Sequence, residues 1–455
     1  MTTLVVHPAA RPLAGSVPVP GDTEIALRAV AFAGLGQGKT HVAGLPPGET
    51  MAAFARCLRA LGVAIDEASP SAWGIEGVGT RGLSAPATAL DCGVSLTSAA
   101  LLCGLLAGKN FRSSLTAGST GARTDFASIA APLRLRGALL ASSGGPREAI
   151  LHLPLTIGPL AEGRALSPLE HESVTADPHV KTALLLSGLA ADGPTILREP
   201  TVSADHTERM LTALGAPLRS IGPVIRVDPA EWTGPWPAFR MTVPGDPAAA
   251  AYLVAAAQLV AGSRVTVRSV STNPTCSGFL EIARNLGAGL DVESHGDQLG
   301  EPVADLHTRH AEPRAAMIGG ERLERAGDAL PAACAIAAVA TGTTRIHAVG
   351  EAAELLAATG VILGAFGVRC IASSDAMAIE GRGSALLAAD VDSGGDPRIA
   401  MAACVLALAA SGPSRVRNAG SIAARFPKFV ATLRAIGANV EVQAQARAIR
   451  AGELL

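Results

Sequence analysis

VPGDTEIALRAVAFAGLGQGKTHVAGL, residues Val19–Leu45, carries the pattern that organises the whole chain. VPGD opens it, and Asp22 stands where a helix N-cap belongs. An apolar helical run follows, then a turn at Gly38 and the β-rich THVAG. The same order returns at Val243–Val267 as VPGDPAAAAYLVAAAQLVAGSRVTV. Each VPGD leaves a helix N-terminus free to face an anion.

The helix–turn–strand part recurs six times, with turns at Gly38, Gly108, Gly193, Gly262, Gly342 and Gly412. Their spacings are 70, 85, 69, 80 and 70 residues. A second glycine closes another helix 22 to 29 residues after each turn, at Gly62, Gly137, Gly215, Gly287, Gly367 and Gly437. Glycine there is the expected left-handed residue past a helix C-terminus. The unit is thus helix, strand, helix and strand, too long and too mixed for a helical solenoid. The two VPGD openings divide six units into two halves, with a boundary expected near Trp232–Met241, WTGPWPAFRM. The predicted domains are 20–236 and, together, 1–19 with 237–455. A site is expected in the crevice between two such domains.

Bulk composition agrees. Of 455 residues 49% are hydrophobic and 17% charged, so much of the chain is buried. A net charge of −2 gives no reason to expect nucleic acid or an anionic membrane as partner. The apolar runs Ala248–Ala261, Ala329–Thr341 and Ile399–Ala410 fall short of a membrane span and read as core helices. Seven scattered cysteines without a CxxC pair indicate a reduced, cytoplasmic protein. Nothing in the pattern asks for a cofactor. His307 and His310 have ligand-like spacing but no third ligand nearby, so no metal site is expected. No GxSxG occurs, and Cys276 has no neighbouring histidine to activate it.

Several stretches resemble the EPSP synthase family over nearly the whole chain. Val19–Leu45 is similar to its PGDKSISHR motif and following helix. Leu90–Gly108 (LDCGVSLTSAALLCGLLAG) resembles LDxGNSGTTxRLLxGLLAG, and Ala176–Leu189 (ADPHVKTALLLSGL) resembles SSQxKSALLLAGL. Ser203–Ala216, Thr272–Ala288, Gly395–Leu408 and Phe426–Glu441 match as well. The resemblance implies an α/β protein, a two-domain inside-out α/β barrel of six βαβαββ-like repeats, three per domain. It also implies a monomer that closes on a small-molecule ligand.

The family joins shikimate 3-phosphate to phosphoenolpyruvate with loss of phosphate, which asks for many Lys and Arg in one cleft. Here the family's Lys-Ser is Thr23-Glu24, and its Asn-Ser-Gly-Thr is Val94-Ser95-Leu96-Thr97 with Ala100 for the following Arg. The loop AGSTGARTDF puts Thr124 at an Arg position, with Arg123 one place early. Val349–Leu355, including Glu351, replaces a Lys-Glu-Arg cluster. Arg28, in contrast, matches the Arg that grips the shikimate carboxylate. Asp328 matches the Asp that binds the ring hydroxyl and acts as base, and Arg398 a further cleft Arg.

Asp177-Pro178-His179 stands where the family has Ser-Ser-Gln, and His179 there reads either as a second proton-transfer group or as an ordinary hydrogen-bonding histidine. Lys181, Arg198 and Ser203 are further candidates for substrate contact, each with a structural reading beside it; Asp205–Glu208 reads as a helix cap. Retention of Arg28 and Asp328 beside the missing phosphoenolpyruvate set favours a lyase or dehydratase in a specialised pathway. It would remove a ring proton from a carboxylated cyclohexene and expel water or phosphate. Two alternatives stand beside it: a working enolpyruvyl transferase with substituted contacts, and a non-catalytic ligand-binding homologue. A transferase for a UDP-sugar is disfavoured, since no Cys stands in Gly118–Arg123.

Overall fold

In a computed structural model the described residues are 2–117, 126–142, 152–232, 234–383 and 386–444. They form two units. One comprises 1–20, 245–296 and 303–455; the other comprises 21–244 and 297–302. Six four-stranded sheets carry the repeat. Each has one strand order: a parallel edge strand, then three strands in antiparallel sequence. In the first sheet Arg240–Thr242 runs parallel to Gln37–Ala43, which pairs antiparallel with Ala72–Val78 and that with Ala64–Ser69. The last strand of the expected unit is thus a hairpin, which completes the βαβαββ order. Thr2–Val6, from the chain start, closes the sixth sheet against Val440–Ala444 and Ser414–Arg417.

The two units meet at Pro244–Gly245, a short way past the 236–237 division expected from the sequence. The Trp- and Pro-rich stretch is no linker. Trp236 is buried, donates its indole N–H to Phe32 O at 2.8 Å, and stacks on Trp232 at 5.8 Å. Arg240–Thr242 then supplies the edge strand above.

Each repeat has an inner and an outer helix. The inner helices of the first unit in sequence are Thr23–Leu35, Leu96–Leu106 and Pro178–Gly188; those of the other are Pro247–Leu259, Leu330–Ala338 and Pro397–Ala407. Apolar on every side, they must be covered on every side. Burial runs unbroken from Ile25 to Leu35, from Val180 to Gly188, from Ala249 to Leu259 and from Ile399 to Ala407. The outer helices bury one face only; Glu49–Ala60, for example, buries Met51, Phe54, Cys57 and Leu58. All six closing glycines, Gly62 to Gly437, have positive φ between 79° and 105°, so a side chain is strained there.

Side-chain caps start most inner helices. Asp22 accepts from Glu24 N at 2.8 Å, Ser95 from Ser98 N at 3.1 Å, Asp177 from His179 N at 2.8 Å. Asp246 accepts from Ala248 N at 2.7 Å and Asp396 from Arg398 N at 2.8 Å. Leu330–Ala338 starts instead from the 3-10 turn Gly327–Ala329, which places Asp328 just ahead of it.

Small residues set how closely inner helices approach. A Cβ on Gly104 would lie 2.7 Å from Ala183 O and 2.9 Å from Ala183 Cα, both backbone atoms. Gly104→Ala is therefore expected to destabilise by about 1–3 kcal/mol. Gly364→Ala, in the outer helix Glu351–Ala365 with nothing within 4 Å, is expected to stabilise by about 0.5–1 kcal/mol. Chemical denaturation of the two variants should give opposite signs.

Candidate functional site

Buried helices surface only at their ends, and the candidate residues gather at the first turns of the inner helices. Glu24, Thr97, His179 and Arg398 each stand second in their helix.

The first cluster centres on Arg28, one turn into Thr23–Leu35 and 1% exposed. Its Nε donates to Thr207 Oγ1 at 2.9 Å and its Nη2 to Thr182 Oγ1 at 3.0 Å. Nη1 donates to Glu24 O at 2.9 Å and Glu24 Oε2 at 3.1 Å. Glu24 also accepts from Thr97 Oγ1, at 2.7 and 2.8 Å. Burial alone would raise the Glu24 carboxyl. The Arg28 charge, the Thr97 hydroxyl and the nearby His179 outweigh it and hold Glu24 below the ordinary carboxylate range. His179 Nδ1 lies 3.1 Å from Asp177 Oδ1. Asp177 is likewise held low: burial works against it, and the His179 ring and backbone N–H bonds prevail.

Lys181 lies two residues on from His179 and is fully buried. Its Nζ is 3.0 Å from Glu199 Oε2, 2.8 Å from Glu208 Oε1 and 3.2 Å from Ser203 O. Ser203 Oγ donates to Glu199 Oε1 at 2.7 Å. Lys181 and Ser203 are thus members of a buried ionic core. Glu208 Oε2 is buried with no hydrogen-bond partner, and burial raises the Glu208 carboxyl despite Lys181. Arg198 pairs on the surface with Glu170 at 2.7 Å. A further buried cation, Arg136, is satisfied by Ser187 Oγ, Thr195 Oγ1 and Ser167 O, and burial lowers it to about 10.

The other unit holds the second cluster. Asp328 Oδ1 accepts from Arg398 Nη1 at 2.8 Å, and Asp328 Oδ2 from Arg425 Nη1. Its backbone oxygen accepts from Tyr252 at 3.0 Å. Arg398 Nη2 also donates to Asp396 Oδ2 at 2.7 Å, and Asp396, with Asp328, pushes the guanidinium above its ordinary value. Asp328 and Asp396 are each about a third exposed.

The remaining candidates are placed as follows. Thr23 is half-buried beside Glu24, and Glu351 is exposed at the start of its helix. Arg123 and Thr124 lie outside the described residues. Asp205 pairs with Arg209 Nε at 2.8 Å, while Thr207 and Glu208 of that helix serve the two clusters above. His307 pairs with Glu293 at 2.8 Å and His310 with Gln258 O at 2.7 Å. Among the described residues no group of His, Cys, Asp and Glu is arranged to hold a metal. Burial raises the thiols of Cys57, Cys103 and Cys404 to about 12, which leaves them inert. No helix among the described residues is long and apolar enough to cross a membrane.

Sequence reasoning took Thr207 and Glu208 only as part of a helix cap and did not single out Thr182, Glu199 or Arg425. The threonines and glutamates become partners only through pairing distant in sequence. Arg425 had a signal, as it stands directly before the matched FPKF.

A family model described as EPSP synthase (3-phosphoshikimate 1-carboxyvinyltransferase) matches residues 8–433. A protein of Geobacter sp. (strain M21) named 3-phosphoshikimate 1-carboxyvinyltransferase is 38% identical over 94% of this chain and 98% of its own. One of that name from Synechococcus sp. (strain RCC307) is 39% identical over 92% of this chain and 95% of its own. The solved EPSP synthase of Acinetobacter baumannii superposes with a TM-score of 0.90 at 31% identity, over 97% of this chain and all of that one. The enolpyruvyl transferase NikO of Streptomyces tendae, at 18% identity and a TM-score of 0.74, shares the fold, over 97% of this chain and 99% of its own.

Burial raises the Glu208 carboxyl above its ordinary range even with Lys181 beside it. A carboxyl whose folded pKa is raised contributes stability that is full below the unfolded value and is lost as pH rises through the folded one. Glu208→Gln removes that loss while keeping an acceptor for Lys181. Its thermal midpoint is expected to match wild type near pH 4 and to exceed it as pH rises above the ordinary glutamate range.

Proposed function

This chain belongs to the EPSP synthase family, and from that premise we propose that it is a 3-phosphoshikimate 1-carboxyvinyltransferase, moving the enolpyruvyl group of phosphoenolpyruvate to a hydroxyl of shikimate 3-phosphate. The observation that carries the reading is the family likeness over nearly the full length of chain and relatives alike. It corrects the elimination expected above: the relatives that match end to end bear a transferase name. The lyase, the dehydratase and the specialised pathway are set aside with it.

Substitution at the enol carbon proceeds by addition and then elimination. The acceptor oxygen bonds to C2 of phosphoenolpyruvate, its proton passes to a base, and C3 takes up a proton. The C2–phosphate bond then breaks, the electron pair leaves with phosphate, and C3 gives up a proton to restore the double bond. Asp328 is the candidate base for the acceptor hydroxyl. Arg398 and Arg425 on either side of its carboxylate offer guanidinium N–H groups to the phosphate or carboxylate of a ligand. In the structure Arg398 donates to Asp328 and Asp396, and Arg425 to Asp328. An anionic ligand takes over some of these donors, its oxygens replacing protein carboxylate oxygens. Exchange of one charged acceptor for another keeps the guanidinium groups paired.

Phosphate release is expected to require phosphoenolpyruvate and shikimate 3-phosphate together. Release with one alone, or none with both, defeats the reading. Asp328→Asn should lower kcat by roughly 10²–10⁴ without weakening phosphoenolpyruvate binding, because it frees two guanidinium groups while removing the base.

A further inference from the structure

Arg28 is a buried cation with almost no capacity left for a ligand. A guanidinium has five N–H donors. One of Arg28's goes to Thr207, one to Thr182, and both Nη1 donors go to Glu24. The two threonines are about 1% exposed and bonded to each other at 2.8 Å, so neither can be displaced. The Glu24 side chain is 45% exposed. Among the described residues it is the one partner of Arg28 that faces solvent, and it carries the charge that a ligand's carboxylate would carry. Thr97 holds it from the other side through both carboxylate oxygens.

We infer that Glu24 is an internal competitor for the acceptor's carboxylate. It occupies the exposed side of the Arg28 guanidinium, and it sets how strongly the protein prefers a carboxylated acceptor over an uncharged one. This rests on the reading that the acceptor carries a carboxylate. To pair with Arg28 such a ligand must drive Glu24 away from both Arg28 and Thr97. It also meets the repulsion of a carboxylate that Arg28, Thr97 and His179 together hold ionised. An acceptor with a hydroxyl in that place meets no such penalty, since Glu24 accepts its hydrogen bond.

The test is a binding titration on the full chain, without phosphoenolpyruvate, using shikimate 3-phosphate and its counterpart with the carboxyl group reduced to an alcohol. Glu24→Gln keeps the shape and removes the charge. It is expected to tighten shikimate 3-phosphate about tenfold or more, one like-charge contact at partly exposed distance, and to leave the alcohol within about twofold. Equal tightening of both ligands, no tightening of shikimate 3-phosphate, or no binding of it to any variant overturns the inference. Should Glu24→Gln not fold, Thr97→Val decides. It frees Glu24 on one side and should tighten the carboxylated ligand about threefold, less than half an order of magnitude, with no gain for the alcohol; an unchanged ratio overturns the inference. Failure of the coupled phosphate-release assay sinks the transferase reading alone, because the titration needs no turnover.

Discussion

Six helices without a polar face have to be kept out of water, and the rest of the molecule follows from that demand. One such helix cannot be covered by one sheet. Three of them per unit cover each other on the inside, while a sheet and an outer helix from each repeat cover the outside. Alanine and glycine dominate the inner helices because large side chains on every face would hold the axes apart; Gly104 against Ala183 is the tightest expression of this. Since each helix is buried along its length, its only outlet is its end. The candidates Glu24, Thr97, His179 and Arg398 accordingly lie in the first turns of inner helices, where the helix dipole favours anions.

That burial explains why charged residues deep in the units are structural. Arg28, Arg136 and Lys181 all sit on or against inner helices, and a buried cation needs acceptors in fixed geometry. Arg136 finds hydroxyl and carbonyl oxygens but no carboxylate partner, and its lowered pKa records the cost. Lys181 finds two carboxylates, and burial still raises the Glu208 carboxyl despite the ammonium beside it. Arg28 lies between these cases: two neutral hydroxyls hold it inside, and one carboxylate faces out.

The fold was legible because its signals are local. Six glycines at helix ends, two VPGD caps and three Ala-rich runs each announce themselves within a few residues. The hairpin in every repeat was less visible, since its two strands read as one β-rich stretch until pairing separates them. The stretch Trp232–Met241 was read only as the neighbourhood of a boundary; the indole of Trp236, buried and bonded to Phe32 O, ties it into the first sheet's unit. At the site, residues in the first turns were found from motif positions. Their partners were not, because Thr207 meets Arg28 across 179 residues and Arg425 meets Asp328 across 97.

The mistaken expectation of an elimination has a physical lesson in it. Missing cations were counted position by position, as though each anion contact could be supplied from one place only. A guanidinium reaches a given point from several backbone positions, and its effect depends on the field at that point rather than on its place in a motif. Arg425 was absent from the count and stands on Asp328. Arg28 was counted as available and is largely committed to Glu24. A tally of conserved-looking positions thus erred in both directions at once. What decides whether anions bind here is how readily each internal carboxylate gives up its guanidinium. The pairs differ in that respect: Arg398 and Arg425 are themselves partly exposed beside Asp328, while Arg28 is buried behind Glu24. On the proposed function an anionic group reaches the first two directly and Arg28 only by displacing Glu24.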